Sequence, residues 1–167
     1  MYFARMMCGH IHEGLKAIQY IRRDNALDAI VAQCSSEAQH AFAELCKCLS
    51  GGPEKSDYEK YVGSVRHKIG FHYDVPDLDF ALEDRTHHAA GKCSSLTAGP
   101  DIHSNRFEFG DDLLDTIVCR KLWGISRSMD LRAEADKIAD WVDKKCRHYL
   151  QFGSEFVPRY LRRNATV

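Results

Sequence analysis

The sequence predicts an all-α fold, a helical bundle of five to six helices, on three observations. Apolar residues recur at steps of three and four through most of the 167 residues. Stop and start signals, among them Asp24-Asn25, Ser50-Gly51-Gly52-Pro53 and Gly124, punctuate those runs at helical lengths. The helical period is lost only from Cys93 to Phe109, where Ser95 to Ala98 and Arg106 to Phe109 read as one short β-hairpin, around 94–109.

Taken in order, Tyr2 to Arg23 forms the first helix, with Phe3, Met7, Ile11, Leu15 and Ile18 on one face. A helix carrying Leu27, Ile30 and Val31 follows Asp24, and a kink or a break is expected near Ser35. Ser36 and Gln39 have the form of a capping box for a continuation bearing Ala38, Ala41, Phe42, Leu45 and Leu49. The next helix starts near Pro53-Glu54, where proline suits the first turn and glutamate the dipole. It buries Tyr58, Tyr61, Val62, Val65 and Ile69 and ends at Asp74-Val75-Pro76, because the residue before proline avoids the helical region. Asp77 caps a helix to about Gly91, and Leu113, Leu114, Ile117, Val118 and Leu122 share a face of another that Gly124 stops. The last helix runs from Ser128 or Asp130 to Phe152, with Gly153 as its C-terminal stop. One domain is expected over 1–157, with 158–167 as a C-terminal tail.

A chain of this length buries roughly 70% of its unfolded surface without staples. No stretch approaches the ~20 apolar residues of a membrane span, and the start lacks a signal peptide's basic flank and apolar run. Seven cysteines, an odd number with no C-x-x-C pair, read as reduced thiols, so the expected location is cytoplasmic. The formal net charge is −1, which excludes a protein that coats nucleic acid by overall charge; any RNA contact must be local. Arg120-Lys121, Lys144-Lys145-Arg147 and the tail arginines 159, 162 and 163 are the candidate patches, and each reads first as a solvated helix face.

Chemistry concentrates in Val62 to Val75, V-G-S-V-R-H-K-I-G-F-H-Y-D-V. Arg66 supplies a planar fork of donors suited to phosphate. His67 and His72 titrate near neutrality and can take or give a proton. Tyr73 and Asp74 add a hydroxyl and a carboxylate beside His72. On a straight helix Arg66 and His72 stand roughly 120° apart, so one helix does not align them unaided. Read from residues alone, the structural account comes first: His72 is a core histidine on the Tyr58-Val65-Ile69 stripe and Arg66 pairs with Asp74 or Asp77 at a helix end.

The arrangement of Arg66, the polar His67 directly after it, and His72 with five residues between it and Arg66 resembles the motif of the HEPN superfamily, small helical nucleotide-binding proteins. The F-H-Y-D ending is most similar to that superfamily's abortive-infection branch. The resemblance is strongest over Tyr58 to Asp74 and elsewhere is one of helix order only. It implies a metal-independent endoribonuclease of a toxin–antitoxin or phage-defence system. His72 would be the base for the 2′-hydroxyl, Arg66 the phosphate clamp, and His67 the leaving-group acid or a phosphate-orienting group. Tyr73, Asp74 and His10 would line the substrate cleft. The same resemblance implies RNA as partner, a homodimer that places two motifs in one cleft, and an antitoxin protein. The alternative it leaves open is a non-catalytic dimer that binds RNA, a nucleotide or a partner protein.

No cofactor is implied and no metal site is expected. His10 with Glu13, Glu83 with His87 and Asp84 with His88 share helix faces, but the Glu-x-x-His pair repeated on two helices that bundle metal sites use is not found. Gly-rich phosphate loops and nucleophile elbows are also missing from the sequence.

Overall fold

The structure, a computed structural model, describes residues 2–69, 77, 79–83, 96–97, 106–107 and 113–164. It is all-helical, as the periodicity requires. Helix α1 spans Tyr2–Arg23, α2 Asn25–Val31 and α3 Ser36–Cys46. Helix α4 is α-helical over Lys55–Tyr58, widens into a π-turn over Glu59–Gly63 and returns to α-helix over Ser64–Ile69. Residues 79–83 belong to α5; α6 is α-helical over 113–116 and π-helical over Ile117–Leu122. Helix α7 is the long Leu131–Asn164. Among the described residues these are seven helices, against the five or six expected, and near Ser35 the structure shows the break of the two expected alternatives, kink or break. An antiparallel pair, β1 (Leu96–Thr97) with β2 (Arg106–Phe107), lies where the hairpin was expected, two residues per strand and too short to add a layer.

Helix α7 packs along α3 and α1, and α1 in turn carries α4. Ile11, Leu15 and Ile18 of α1 meet Leu45 of α3, Val62 and Val65 of α4, Val118 of α6 and Val142 of α7 in one core. Their i, i+4, i+7 spacing on α1 makes the inward face a stripe. Gly14 sits where α7 crosses: a Cβ there would come within 2.7 Å of the Tyr149 ring, so only hydrogen fits. Gly124 adopts φ +69 and ends α6, a left-handed turn that glycine enters without strain. Arg120 fastens the loop that follows by donating from Nη1 to the carbonyls of Ile125 (3.1 Å) and Ser126 (2.8 Å).

Two expectations at helix ends are overturned. The cap of α3 is Ser35, not Ser36: its hydroxyl accepts from the Ala38 N–H, while Gln39 Nε2 donates to the carbonyls of Ala32 and Cys34. The expected stop at Gly153 does not occur; α7 continues through Gly153 and Pro158 to Asn164. A helical glycine costs about 1 kcal/mol and an interior proline about 3. Tertiary contacts offset that cost. Phe152 packs on Phe42 (4.9 Å between ring centroids) and on Phe156 (5.0 Å), and Glu155 Oε2 accepts from the Ser35 N–H at 3.0 Å. Residues 158–164 are therefore the last turns of a helix.

A cation lies inside the bundle. Lys145 of α7 is 2% exposed, with its ammonium 2.7 Å from Glu54 Oε2 and 3.8 Å from Glu44 Oε2. Its hydrogen bond goes to the Glu44 carbonyl (3.3 Å), and it lies 5.4 Å from the Trp141 ring centroid. Glu54 is the N-cap residue of α4, so this pair ties the head of α4 to α3 and α7. Removing the charge at Glu54 leaves the ammonium buried against one remaining carboxylate. Glu54→Gln is expected to cost about 3 kcal/mol in urea unfolding. Lys145→Met should cost less, because Glu44 and Glu54 still reach water at their edges. Equal and small losses for both would show that the pair contributes nothing.

Candidate functional site

The π-turn in α4 decides which way its chemistry faces. Ser64 N–H bonds to the Glu59 carbonyl, five residues back, so one residue is inserted into the helical ladder. That insertion takes up roughly 100° of rotation. In a regular helix Tyr58 and His67 would point in opposite directions and Arg66 about 80° from Tyr58. With the insertion Arg66 comes nearly into line with Tyr58, and His67 turns toward the same side. The turn is fastened from outside: the Tyr61 carbonyl accepts from Trp123 Nε1 at 3.1 Å and from Cys8 Sγ at 3.5 Å.

Helix α1 supplies the facing wall. His12 Nδ1 lies 2.8 Å from the Tyr58 hydroxyl, and the His12 and Tyr58 rings are within 17° of parallel at 6.1 Å. The His67 ring stands edge-on to His12, 5.1 Å between centroids. Arg66 Nη2 donates to Glu13 Oε1 at 3.3 Å, and Glu13 also holds Lys16 at 2.8 Å. The Arg66 side chain keeps 27% of its surface exposed, Glu13 52%, and His67 is exposed. The His67 imidazole is therefore open to solvent, and the Arg66 guanidinium beside it, held by Glu13, is partly so.

The protonation states follow from this packing. Burial, then the charges of Lys16 and His67, holds the His12 imidazole below its ordinary 6.5, so it is neutral at pH 7. Burial pushes the Tyr58 phenol up to about 12. The Tyr58 hydroxyl and His12 Nδ1 share one hydrogen bond, whose direction follows the tautomer of the neutral imidazole. The hydrogen bond from Lys16, aided by Arg66, keeps Glu13 below the usual carboxylate range. The result is one oriented, uncharged imidazole between a cation pair and a phenol.

Of the residues singled out by sequence, the structure brings Arg66 and His67 together on one exposed turn. His72, Tyr73 and Asp74 lie outside the described residues. His10 is exposed on α1; two positions from His12, it projects about 160° away around the helix, and it is His12 and Glu13 that touch the Arg66–His67 pair. Asp77, a candidate partner for Arg66, is buried and paired with Lys121. His12 was not assigned to this site from the sequence, Glu13 was weighed only with His10 as a metal-type pair, and Tyr58 was placed in the buried stripe. Their signal was faint: a histidine and a lysine four apart on α1, and a tyrosine whose direction depends on a π-turn. Among the described residues no group of three or more histidines, cysteines or carboxylates is placed to hold a metal ion.

The expected outcome of titration is specific. His12 should show an NMR midpoint below 6.5, and Lys16→Ala should move it upward by removing a neighbouring charge. A folded histidine that takes up its proton less readily than the unfolded chain contributes stability that is complete above about pH 6.5 and lost as pH falls. His148, both of whose ring nitrogens are buried without a hydrogen-bond partner, is shifted the same way, chiefly by burial. The melting temperature should therefore decline from pH 7 toward pH 5; a flat profile would contradict both assignments. Comparison with protein-family models, curated proteins and solved structures finds no match.

Proposed function

We propose that this chain is a metal-independent endoribonuclease of the HEPN type, acting as the toxin of a toxin–antitoxin or phage-defence system. The observation that carries the reading is the exposed Arg66–His67 turn, oriented by a π-turn and backed by the neutral His12. An arginine next to an imidazole in open solvent is what a phosphodiester needs for charge neutralisation and proton transfer. Arg66 holds the non-bridging oxygens and the charge that builds on them. His72, assigned by the motif spacing, takes the proton of the 2′-hydroxyl. The 2′-oxygen attacks phosphorus, the bond to the 5′-oxygen breaks, and His67 gives that oxygen its proton. The products are a 2′,3′-cyclic phosphate and a 5′-hydroxyl. Two copies of the chain related by a two-fold axis would set two motifs in one cleft, each supplying what a single helix leaves out of line. Location in the cytoplasm and an antitoxin that covers the cleft belong to the same proposal.

A specific observation favours a second reading. Arg66 already has a carboxylate partner in Glu13, which lowers its field for phosphate. On that reading the chain is a non-catalytic dimer that binds RNA, a nucleotide or a partner protein. One experiment separates the two. With single-stranded RNA, wild type should yield cyclic-phosphate ends, and Arg66→Ala and His72→Ala should each lower the rate by roughly 10²-fold or more while melting as wild type. EDTA should change nothing, and a 2′-deoxy residue at the cleavage point should block the reaction. Saturable binding with uncut RNA, weakened by Arg66→Ala but not by His72→Ala, would replace the nuclease with the binder.

A further inference from the structure

Beside the Arg66–His67 turn, two hollows run on from one another along α1. The first, about 210 Å³, is lined by His12 and Lys16 of α1 and by Lys55 and Tyr58 of α4, with Leu15 and Leu49 as its apolar part. The second, about 170 Å³, shares Gln19, Leu49 and Ser50 with it and ends against Arg22 and Arg23. Each is smaller than the ~300 Å³ at which sites for whole small-molecule ligands begin. Helical spacing creates the track: His12, Lys16, Gln19 and Arg23 are separated by four, three and four residues and share one face. From His12 to Arg23 that face is about 16 Å long, the length of roughly three extended to five stacked nucleotides.

We infer that this face of α1 is the path of a single RNA strand leaving the Arg66–His67 turn, with bases in the two hollows and phosphates on Lys16, Lys55, Arg22 and Arg23. The choice of RNA rests on the nuclease reading above. The near-parallel His12 and Tyr58 rings give a stacking wall, which tolerates any base. Gln19 and Ser50 add an amide and a hydroxyl where the hollows join. Glu13 and Glu59 hold Lys16 (2.8 Å) and Lys55 (3.9 Å), but all four side chains are about half exposed, and a phosphate can replace either carboxylate. Elsewhere several members of the basic clusters are engaged within the molecule: Arg120 holds the Ile125 and Ser126 carbonyls, Lys121 pairs with buried Asp77, and Lys145 is buried. With a net charge of −1, a local track of this kind is how such a chain would hold a polyanion.

The test is fluorescence anisotropy with a labelled 2′-O-methyl single strand of about ten nucleotides, which cannot be cut by 2′-hydroxyl attack and so reports binding alone. Wild type should bind saturably. Lys55→Glu and the double change Arg22→Glu with Arg23→Glu should each weaken binding at least tenfold. They should flatten the dependence of log K on log salt by about 0.7 for each phosphate that the variant no longer neutralises. Lys144→Glu, on the exposed side of α7, should leave binding unchanged, and circular dichroism melts should show all variants folded. Failure of wild type to bind, equal weakening by Lys144→Glu, or equal competition by dextran sulfate of matched charge would overturn the path. If wild type cuts natural RNA while the α1 and α4 reversals leave anisotropy untouched, the path fails and the nuclease stands. If the strand binds through Lys55 and the arginines but no RNA is cut, the nuclease fails and the path stands.

Discussion

A single buried ammonium sets the geometry on which the rest depends. Lys145 projects from α7 into the place where α3, α7 and the head of α4 converge, and its two carboxylates come from different elements. Taking a charge out of water costs several kcal/mol, which is repaid only when its partners are in place. Apolar packing alone would let α4 slide or rotate on the bundle at little cost, since the effect is not directional. The Glu54 contact removes that freedom at the first residue of α4. It also explains why Glu54, although at the N-cap, makes no capping hydrogen bond to its own helix. The carboxylate is used for tertiary position and not for local helix stability.

From that fixed head, the π-turn controls what α4 presents. A regular helix would spread Tyr58, Arg66 and His67 over about half its circumference. One inserted residue gathers them toward α1, where His12 and Glu13 meet them. The insertion is held by two side-chain donors on the Tyr61 carbonyl, one from Trp123 and one from Cys8, so core residues on α6 and α1 keep the site in shape. The electrostatics are a consequence of the same packing. His12 is partly buried among positive neighbours and stays neutral, while Arg66 is balanced by Glu13 and remains open to solvent. An uncharged imidazole next to exposed cations is a surface for an anion, and the proposed phosphodiester chemistry and strand path both draw on it.

Much of the fold was legible because helical periodicity is a local property. The apolar stripes of α1, α3 and α4, the break at Ser35, the left-handed stop at Gly124 and the short strand pair could all be placed from residue types and spacing. The Arg66–His67 pair was legible for the same reason, as adjacent residues of unusual chemistry. What failed were judgements that weighed a local signal against an unseen contact. Gly153 reads as a stop, yet Phe152 and Phe156 find Phe42 and the helix continues. Ser36 reads as the cap, yet Ser35 both caps α3 and meets Glu155, 120 residues away. Clusters such as Arg120-Lys121 read as surface, yet one holds the loop after α6 and the other pairs with buried Asp77.

The amino-acid order by itself determined that this chain is helical, where most of its helices begin, and that an arginine and a histidine stand side by side at positions 66 and 67. Those features depend on neighbours within a turn or two, so spacing encodes them. Only the tertiary structure decided that α7 runs unbroken to Asn164, that Lys145 is interior, and that His12, Glu13 and Tyr58 complete the site. These depend on residues far apart in sequence meeting across helices. The sum of such contacts outweighs any single local preference.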